Sequence, residues 1–349
     1  EYNAENEKMP VIKNSIKPSI SKKSSSKAGS IGYDDEYEFE IKVNIPANFG
    51  ENATDEKIVI NDVATEGTII NLNSFKVYDK DGNLKENSKV TAVAVKDKPN
   101  EVNITVDKNS LLAAGDYSPI YIRYTLKLSK DFVAEGKKSS IVNTVSSKYI
   151  VDKNEYEDPN KPVDPEDPNN ETPETPKHEE TINTFNKDFI KVDSGLFETG
   201  AIKKPLAGAE FILGRTINGK VEYRKLDDTN KYTWTETKTE AAVVTSGDDG
   251  AFRFEGLASK TSDGTAIRYF AEEIKAPENY KLPVDEADRK HKFDFVGKAN
   301  QTITIKNNKT VDAPMTGYEK SVIAIGGLLV MVAAAFVIAR KSKKEASVK

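Results

Sequence analysis

Apolar and polar residues alternate with a period of two in two long stretches of the chain. In the first stretch the alternation is clear at residues 37–46 (YEFEIKVNIP) and 118–128 (SPIYIRYTLKL), and in the second at residues 251–257 (AFRFEGL) and 301–307 (QTITIKN). Such alternation is typical of β-strands with one buried face. We therefore predict an all-β fold of two tandem immunoglobulin-like β-sandwich domains, followed by a C-terminal transmembrane helix.

A proline-rich acidic segment separates the two stretches. Residues 155–177 hold six of the fifteen prolines and almost no aliphatic side chains, so this segment cannot bury enough apolar surface to fold. We expect a semi-stiff, extended spacer. The predicted divisions are an N-terminal segment at 1–15, a first domain at 16–150, a linker at 151–181, a second domain at 182–311 and a C-terminal signal at 312–349.

The transmembrane prediction rests on the apolar run at residues 321–339. It carries no charge over nineteen residues, and a helix of that length is about 28 Å long, close to the hydrocarbon thickness of a bilayer. Basic residues follow from Arg340 to Lys344 and would hold this end in the cytoplasm, so we expect the rest of the chain to lie outside the cell. On hydropathy alone, a permanent membrane anchor is the favoured interpretation.

Composition narrows the function classes. Cysteine is absent, so an exposed protein of this sequence has no disulfides and must be braced by other means. The formal net charge of −5 is concentrated in the linker, and no basic face predicts nucleic-acid binding. The chain begins Glu1-Tyr2 without an export signal, so we expect a mature form or a fragment that lacks an upstream domain.

No residue pattern predicts a metal, a cofactor or an enzyme active site. Residues 79–83 (DKDGN) resemble half of a calcium loop, but Val90 stands where that loop needs a glutamate, so we interpret them as a turn. His178 and His291 have no ligand spacing to each other. We expect no cofactor, no metal and no turnover chemistry.

The residues directly before the apolar run form a recognisable motif. They are Ala313, Pro314, Met315, Thr316 and Gly317. With the apolar run and the basic tail, they resemble the LPXTG-like cell-wall sorting signal of Gram-positive bacteria, with Ala313 where leucine is usual. The resemblance implies that a sortase cleaves between Thr316 and Gly317, passes the Thr316 carbonyl to an amine and finally anchors the chain to peptidoglycan. Whether a class C or a housekeeping sortase reads the motif is left open by Ala313.

The second stretch resembles a known domain type. Residues 189–213 and 269–283 are similar to the collagen-adhesin-B-type pilin domains of Gram-positive bacteria, which carry the sequence motif YxLxETxAPxGY. The residues that match this motif are Tyr269, Glu273, Ala276, Pro277 and Tyr280. The residues that depart from it are Ala271, Ile274 and Asn279. The resemblance implies an internal isopeptide bond between Lys191 and Asn307, promoted by Glu273.

Strand parity supports the same three residues independently. Residues two apart in a strand share a face, which we call their parity. By this rule the side chains of Lys191, Glu273 and Asn307 lie on the same face as the apolar residues of their strands, whereas Asn308 lies on the opposite face. Burial would lower the pKa of the lysine and raise that of the glutamate. The neutral amine could then attack the carboxamide once per chain, with ammonia leaving. Taken singly, a solvated lysine and a turn-capping carboxylate are the simpler interpretations.

Three segments of the first stretch resemble the fimbrial isopeptide-forming domain of the same pilins: KPSISKK (17–23), VINDVATEGTII (59–70) and NTVSSKY (143–149). The resemblance implies a second internal bond between Lys22 and Asn143, promoted by Asp62. Parity favours Lys22, and Lys23 stays the alternative with the opposite parity.

The resemblances together cover residues 18–344 and imply a sortase-assembled major pilin on the surface of a Gram-positive bacterium. Its partners would be a sortase, other pilin subunits and peptidoglycan. In such pilins a lysine just ahead of the first domain accepts the next subunit; Lys13 in PVIKNSI (10–16) is the candidate, unless that lysine lies upstream. A wall-anchored adhesin, or an ancillary tip or base pilin that binds a host ligand, would use the same domains and anchor and stays the alternative.

Overall fold

The structure, a computed structural model, describes residues 19–51, 55–132, 136–150, 174–195, 204–295 and 301–310. These residues form β-strands, turns and a few short 3-10 helices, at Leu72–Ser74, Lys108–Ser110, Lys238–Glu240 and Ala287–Arg289. The all-β prediction is therefore confirmed for the described residues. None of their helices is long and apolar enough to cross a bilayer. The predicted membrane helix at 321–339 lies outside the described residues.

The first nine strands come from the first predicted domain. They are β1 (Ser19–Ser24), β2 (Glu36–Asn44), β3 (Lys57–Ala64), β4 (Thr68–Ile70), β5 (Lys76–Tyr78), β6 (Thr91–Val95), β7 (Lys98–Val106), β8 (Ile120–Leu128) and β9 (Lys138–Ile150).

The later strands follow the linker. They are β10 (His178–Asp193), β11 (Glu210–Ile217), β12 (Lys220–Leu226), β13 (Tyr232–Thr235), β14 (Val243–Thr245), β15 (Ala251–Leu257), β16 (Arg268–Lys275), β17 (Tyr280–Lys281), β18 (Lys290–Phe293) and β19 (Ile303–Lys309).

The strands form three sheets. The first sheet has the order β1-β2-β8-β4, with β5 also paired to β8. The long sheet has the order β17-β19-β10-β9-β3-β7-β6, with β15 also paired to β10. The third sheet has the order β13-β12-β11-β16-β18, with β14 paired to β11. One half of the long sheet faces the first sheet and the other half faces the third, so two separate cores form.

The first core follows the alternation seen in the sequence. Along β8 every second residue is buried, from Ile120 to Leu128, and β3 shows the same pattern. The second core is rich in aromatic rings: Phe211 stacks on Phe252 with ring centroids 4.0 Å apart, and Phe189 stacks on Phe252 at 4.8 Å. In β3 and β8, alternation thus places one face of the strand in a core, as period-two patterning requires.

Strand β10 belongs to both halves of the molecule. Its first residues, His178 to Phe185, pair antiparallel with β9, and Ile182 packs in the first core. Its later residues pair with β15 and run parallel to β19. The predicted linker at 151–181 is described only from residue 174 onward, and β10 crosses the predicted boundary at residue 182 without a break.

The loop between β1 and β2 joins the two halves. Tyr33 stacks on Tyr232 with ring centroids 6.1 Å apart, and its backbone N–H donates to the Gly256 carbonyl at 2.9 Å. Ser30 hydrogen-bonds to Ser259 at 2.9 Å. Because these contacts tie the first module (β1–β9) to strands of the second (β10–β19), the shared strand is not the sole connection between them.

Candidate functional site

The predicted residues of the first module converge between its two sheets. Lys22 lies on β1, Asp62 on β3 and Asn143 on β9, and the side chains of Lys22 and Asp62 are completely buried. The neighbouring Lys23 points the other way; its side chain is 67% exposed and pairs with Glu40 at 3.0 Å. Because consecutive residues of a strand point to opposite faces, only Lys22 of these two lysines faces the core.

A tyrosine completes the first cluster. Lys22 Nζ donates to Asp62 Oδ2 and to the hydroxyl of Tyr124, both at 2.5 Å. The Tyr124 hydroxyl donates to Asp62 Oδ2 at 2.6 Å and accepts from Asn143 Nδ2 at 2.9 Å. The remaining oxygens, Asp62 Oδ1 and Asn143 Oδ1, have no hydrogen-bond partner among the described residues.

Tyr124 was not among the residues predicted from the sequence. It occupies an inward position of β8, in line with Ile122 and Leu126, so the pattern predicts a buried ring but does not identify its partners. The signal that could have found it is the hydroxyl itself, because a buried tyrosine usually hydrogen-bonds its O–H. Its ring stacks on Phe75 at 4.8 Å, with an interplanar angle of 4°.

The second cluster forms a closed triangle of hydrogen bonds. Lys191 Nζ donates to Glu273 Oε2 at 2.8 Å and to Asn307 Oδ1 at 2.6 Å, and Asn307 Nδ2 donates to Glu273 Oε1 at 2.7 Å. Lys191 and Asn307 lie on the neighbouring parallel strands β10 and β19, whereas Glu273 reaches in from β16 in the facing sheet. Asn308 lies on the opposite face of β19 and hydrogen-bonds to Ser194.

Burial sets the protonation of both clusters. Removal from water lowers the pKa of Lys22 and of Lys191 to about 8, although the adjacent carboxylates Asp62 and Glu273 act in the opposite direction. Desolvation likewise raises the pKa of Glu273, against the pull of Lys191. The lowered pKa makes a neutral lysine amine accessible near neutral pH in both clusters, and the raised pKa of Glu273 favours its protonated carboxyl in the second.

Each cluster therefore has the groups that amide exchange requires. A lysine amine with a lowered pKa is a nucleophile, the carboxamide of an asparagine is an electrophile, and the carboxyl group between them can move protons. In the second cluster the amine already contacts the carboxamide at 2.6 Å. Burial excludes water, which would otherwise compete with the amine.

The remaining predicted residues lie outside the described part of the chain. These are Lys13 and the sorting motif Ala313, Pro314, Met315, Thr316 and Gly317.

The DKDGN segment forms a closed turn. Asp79 Oδ1 accepts the backbone N–H groups of Asp81 and Asn83, each at 2.9 Å. These hydrogen bonds lower the pKa of Asp79. Across the described residues, no group of three or more His, Asp or Glu side chains is arranged to hold a metal ion.

Comparisons with models of known protein families and with curated protein sequences find no match. Solved structures do match. The 35 kDa C-terminal fragment of the major pilin GBS80 of Streptococcus agalactiae is 23% identical, with 83% of this chain and 99% of that chain covered and a TM-score of 0.51. The pilus 2b backbone protein of group B streptococcus is 20% identical, with 83% and 98% covered and a TM-score of 0.51.

A third match extends the comparison to another species. The full-length major pilin RrgB of Streptococcus pneumoniae is 15% identical, with 84% of this chain and 75% of that chain covered and a TM-score of 0.54. Identities this low establish a shared fold and nothing finer. At that level the predicted resemblance to pilins is confirmed: the chain has the fold of the major, or backbone, pilins of Gram-positive bacteria.

Proposed function

We propose that this chain is a structural subunit, the major or backbone pilin, of a sortase-assembled and covalently linked pilus on a Gram-positive bacterium. It consists of two immunoglobulin-like modules, each closed by an internal Lys-Asn isopeptide bond. The observation that carries the proposal is a buried lysine, carboxylate and asparagine in the core of each module of a pilin fold. Buried charged groups are costly, so two such clusters call for a function.

The second bond forms between Lys191 Nζ and Asn307 Cγ. Lys191 first passes one proton to Glu273, and the neutral amine attacks the carboxamide carbon. Glu273 then takes a second proton from the attacking nitrogen as it returns the first to Nδ2, which it already contacts at 2.7 Å. Ammonia leaves, the C–N bond to Nδ2 is broken and the new amide is complete, with no net change in charge.

The first bond joins Lys22 to Asn143, and here too one amide forms and one ammonia leaves. Asp62, at 2.5 Å from the amine, accepts the initial proton. Each reaction occurs once within one chain, so the carboxyl groups promote a single event and the protein is not an enzyme. No cofactor or metal takes part in this scheme.

The bonds brace the modules against heat and force. Lys191 and Asn307 are 116 residues apart, and the Lys22–Asn143 closure is of similar length. Closing a loop of this size is worth about 4–5 kcal/mol in the chain-entropy estimate. Because each bond joins the opening strand of a module to its last strand, tension passes through the covalent link and bypasses the core.

Assembly depends on segments at both ends of the sequence. We propose that a sortase cleaves the Thr316–Gly317 bond, that the helix at 321–339 holds the precursor in the membrane until then, and that Lys13 accepts the Thr316 carbonyl of another subunit. The final acceptor would be an amine of peptidoglycan, which places the finished pilus at the cell wall.

Surface expression with and without a pilus sortase tests the assembly. The full chain is produced in a Gram-positive host, and wall extracts boiled in SDS are immunoblotted. A backbone subunit gives a ladder of high-mass species that needs the sortase and disappears in Thr316→Ala. A single anchored species, together with binding of a host ligand by the purified monomer, would instead establish the adhesin or ancillary-pilin alternative.

The variant Lys13→Arg tests which lysine accepts the next subunit. The ladder disappears if Lys13 is the acceptor, whereas a persisting ladder would assign another lysine.

A further inference from the structure

The two clusters hold their carboxamides differently. In the second, the lysine amine and the carboxylate each contact Asn307 directly. In the first, no hydrogen bond among the described residues joins Asn143 directly to Lys22 or Asp62. All three side chains meet instead at the hydroxyl of Tyr124, at 2.5, 2.6 and 2.9 Å from Lys22 Nζ, Asp62 Oδ2 and Asn143 Nδ2.

The position of this hydroxyl is fixed by the packing of its ring. Tyr124 is only 1% exposed, and its ring lies between Phe75 at 4.8 Å and Phe39 at 6.1 Å. A phenylalanine would fill the same space, so packing alone does not require the oxygen. That oxygen touches both nitrogens that exchange a proton when the amide forms.

We propose that Tyr124 is a catalytic residue of the first cross-link, where its phenol relays a proton from the Lys22 amine to the departing nitrogen of Asn143. This inference rests on the proposed function, because it concerns the same bond. The second cluster has no need of a relay, since Glu273 itself contacts both the amine and Nδ2.

Every proton that moves in the relay has a donor and an acceptor. Lys22 first gives one proton to Asp62, and the neutral amine attacks Asn143 Cγ. The attacking nitrogen then carries one proton too many, and Nδ2 needs one to leave as ammonia. Tyr124 accepts the proton of the attacking nitrogen while its own O–H proton moves to Nδ2. The C–Nδ2 bond breaks, ammonia leaves and the phenol is restored, so no phenolate forms and the proton on Asp62 returns to solvent or to ammonia.

The electrostatics of the cluster agree with a concerted exchange. Burial and the adjacent Asp62 raise the pKa of Tyr124 well above its ordinary value, which disfavours a free phenolate. A phenol that donates and accepts in one step avoids that charge.

Tyr124→Phe tests the relay, with the second bond of the same chain as internal control. The chain is recovered unreacted from inclusion bodies in denaturant and refolded, and ammonia loss is followed by intact mass with peptide mapping. We expect the Lys22–Asn143 bond to form about 100-fold more slowly or not at all. The Lys191–Asn307 bond should form at the unaltered rate.

A matched variant separates chemistry from stability. Tyr37 is a second buried tyrosine of the same module, and its hydroxyl bonds to Ser24 at 2.6 Å, outside the cluster. Tyr37→Phe therefore removes a part-buried tyrosine hydrogen bond of the same module and should form both cross-links at normal rates. If Tyr37→Phe slowed the first bond as much as Tyr124→Phe, the effect would be one of stability and the relay would be rejected.

A second substitution covers the case in which Tyr124→Phe fails to fold. Replacing Tyr124 by 3-fluorotyrosine keeps the ring and hydroxyl but makes the phenol a stronger acid. Because the phenol both gives and takes a proton in the relay, the rate of the first bond should change with its acidity, and a rate equal to that of the unsubstituted chain contradicts the relay. If the unsubstituted chain loses no ammonia at all, the proposed function fails. If it loses two and the Tyr124 variants match it in rate, only the relay fails.

Discussion

At the scale of residues, the reactive groups of each cluster lie on the inward faces of their strands. Lys22, Lys191 and Glu273 are all buried. Tyr124 reaches Asp62 and Asn143 across the core because β8 packs against β3 and β9, and it meets Lys22 from within its own sheet.

Glu273→Gln should abolish the second bond and leave the first intact. The glutamine keeps the shape of the side chain but cannot accept the lysine proton, so the intact mass should show the loss of one ammonia rather than two. The unlinked module should be less stable by about 4–5 kcal/mol, measured by urea unfolding.

The control for this variant is Glu272→Gln. Glu272 is equally buried but lies on the other face of β16 and pairs with Lys238. That variant should still lose two ammonias. Formation of the Lys191–Asn307 bond in Glu273→Gln at the normal rate would contradict the role assigned to Glu273.

The alternation of strand residues predicts that Lys22, Lys191 and Glu273 face inward, and all three are buried. It cannot predict which groups meet across the core, because alternation fixes the face of a residue and says nothing of the facing sheet. The burial of Tyr124 thus follows from the alternation of β8, whereas its hydrogen bonds to Asp62 and Asn143 depend on the packing of β8 against β3 and β9.

The rate of the second bond should pass through a maximum with pH. The reactive pair shares one proton, with the amine neutral and the carboxyl protonated. Below the raised pKa of Glu273 both groups are protonated and the amine is charged, whereas above about 8, the lowered pKa of Lys191, the pair loses the proton that the leaving nitrogen needs. Refolding over a pH series, followed by intact mass, measures this profile. A rate that keeps rising above about 8 would indicate a free amine acting without Glu273.

At the scale of elements, the strands with alternating patterns were predictable and the full extent of β10 was not. In residues 185–193 (FNKDFIKVD) the alternation that is typical of a strand begins at Phe185, but β10 begins at His178. Of residues 178–184, only Ile182 and Thr184 are buried, so the early part of the strand carries little hydrophobic signal. It is held by backbone hydrogen bonds to β9, which any side chain permits.

The joint between the modules depends on Gly256. Its φ is +63°, and a Cβ there would lie 2.1 Å from Cγ of Tyr33. Gly256→Ala should therefore destabilise the protein both by backbone strain and by displacing the Tyr33 ring from Tyr232. We expect the free energy of unfolding to fall by about 1–3 kcal/mol more than the backbone strain alone would lower it, measured by urea unfolding.

Gly29→Ala isolates the strain. Gly29 has nearly the same φ, +62°, but a Cβ there would meet nothing within 4 Å. Gly29→Ala should lower the free energy of unfolding by roughly 1–2 kcal/mol. Equal losses in the two variants would mean that the Tyr33 contact contributes nothing to the joint.

At the scale of the whole molecule, the two proposed bonds define a path for tension. Force would enter at β1, cross to β9 through Lys22 and Asn143, and leave through Lys191 and Asn307 to β19. Between the two bonds, β9 and β10 are joined to each other by the hydrogen bonds of an antiparallel ladder, in which Asn143 lies opposite Glu180. The cores of both modules lie outside this path, so the chain can carry load without unfolding them.

The presence of both internal bonds is tested by the intact mass of the folded, unsubstituted chain. We predict a mass lower than that of the sequence by two molecules of ammonia, with peptide mapping that joins Lys22 to Asn143 and Lys191 to Asn307. A mass equal to that of the unmodified sequence, with both lysine amines free and both carboxamides intact, would contradict it.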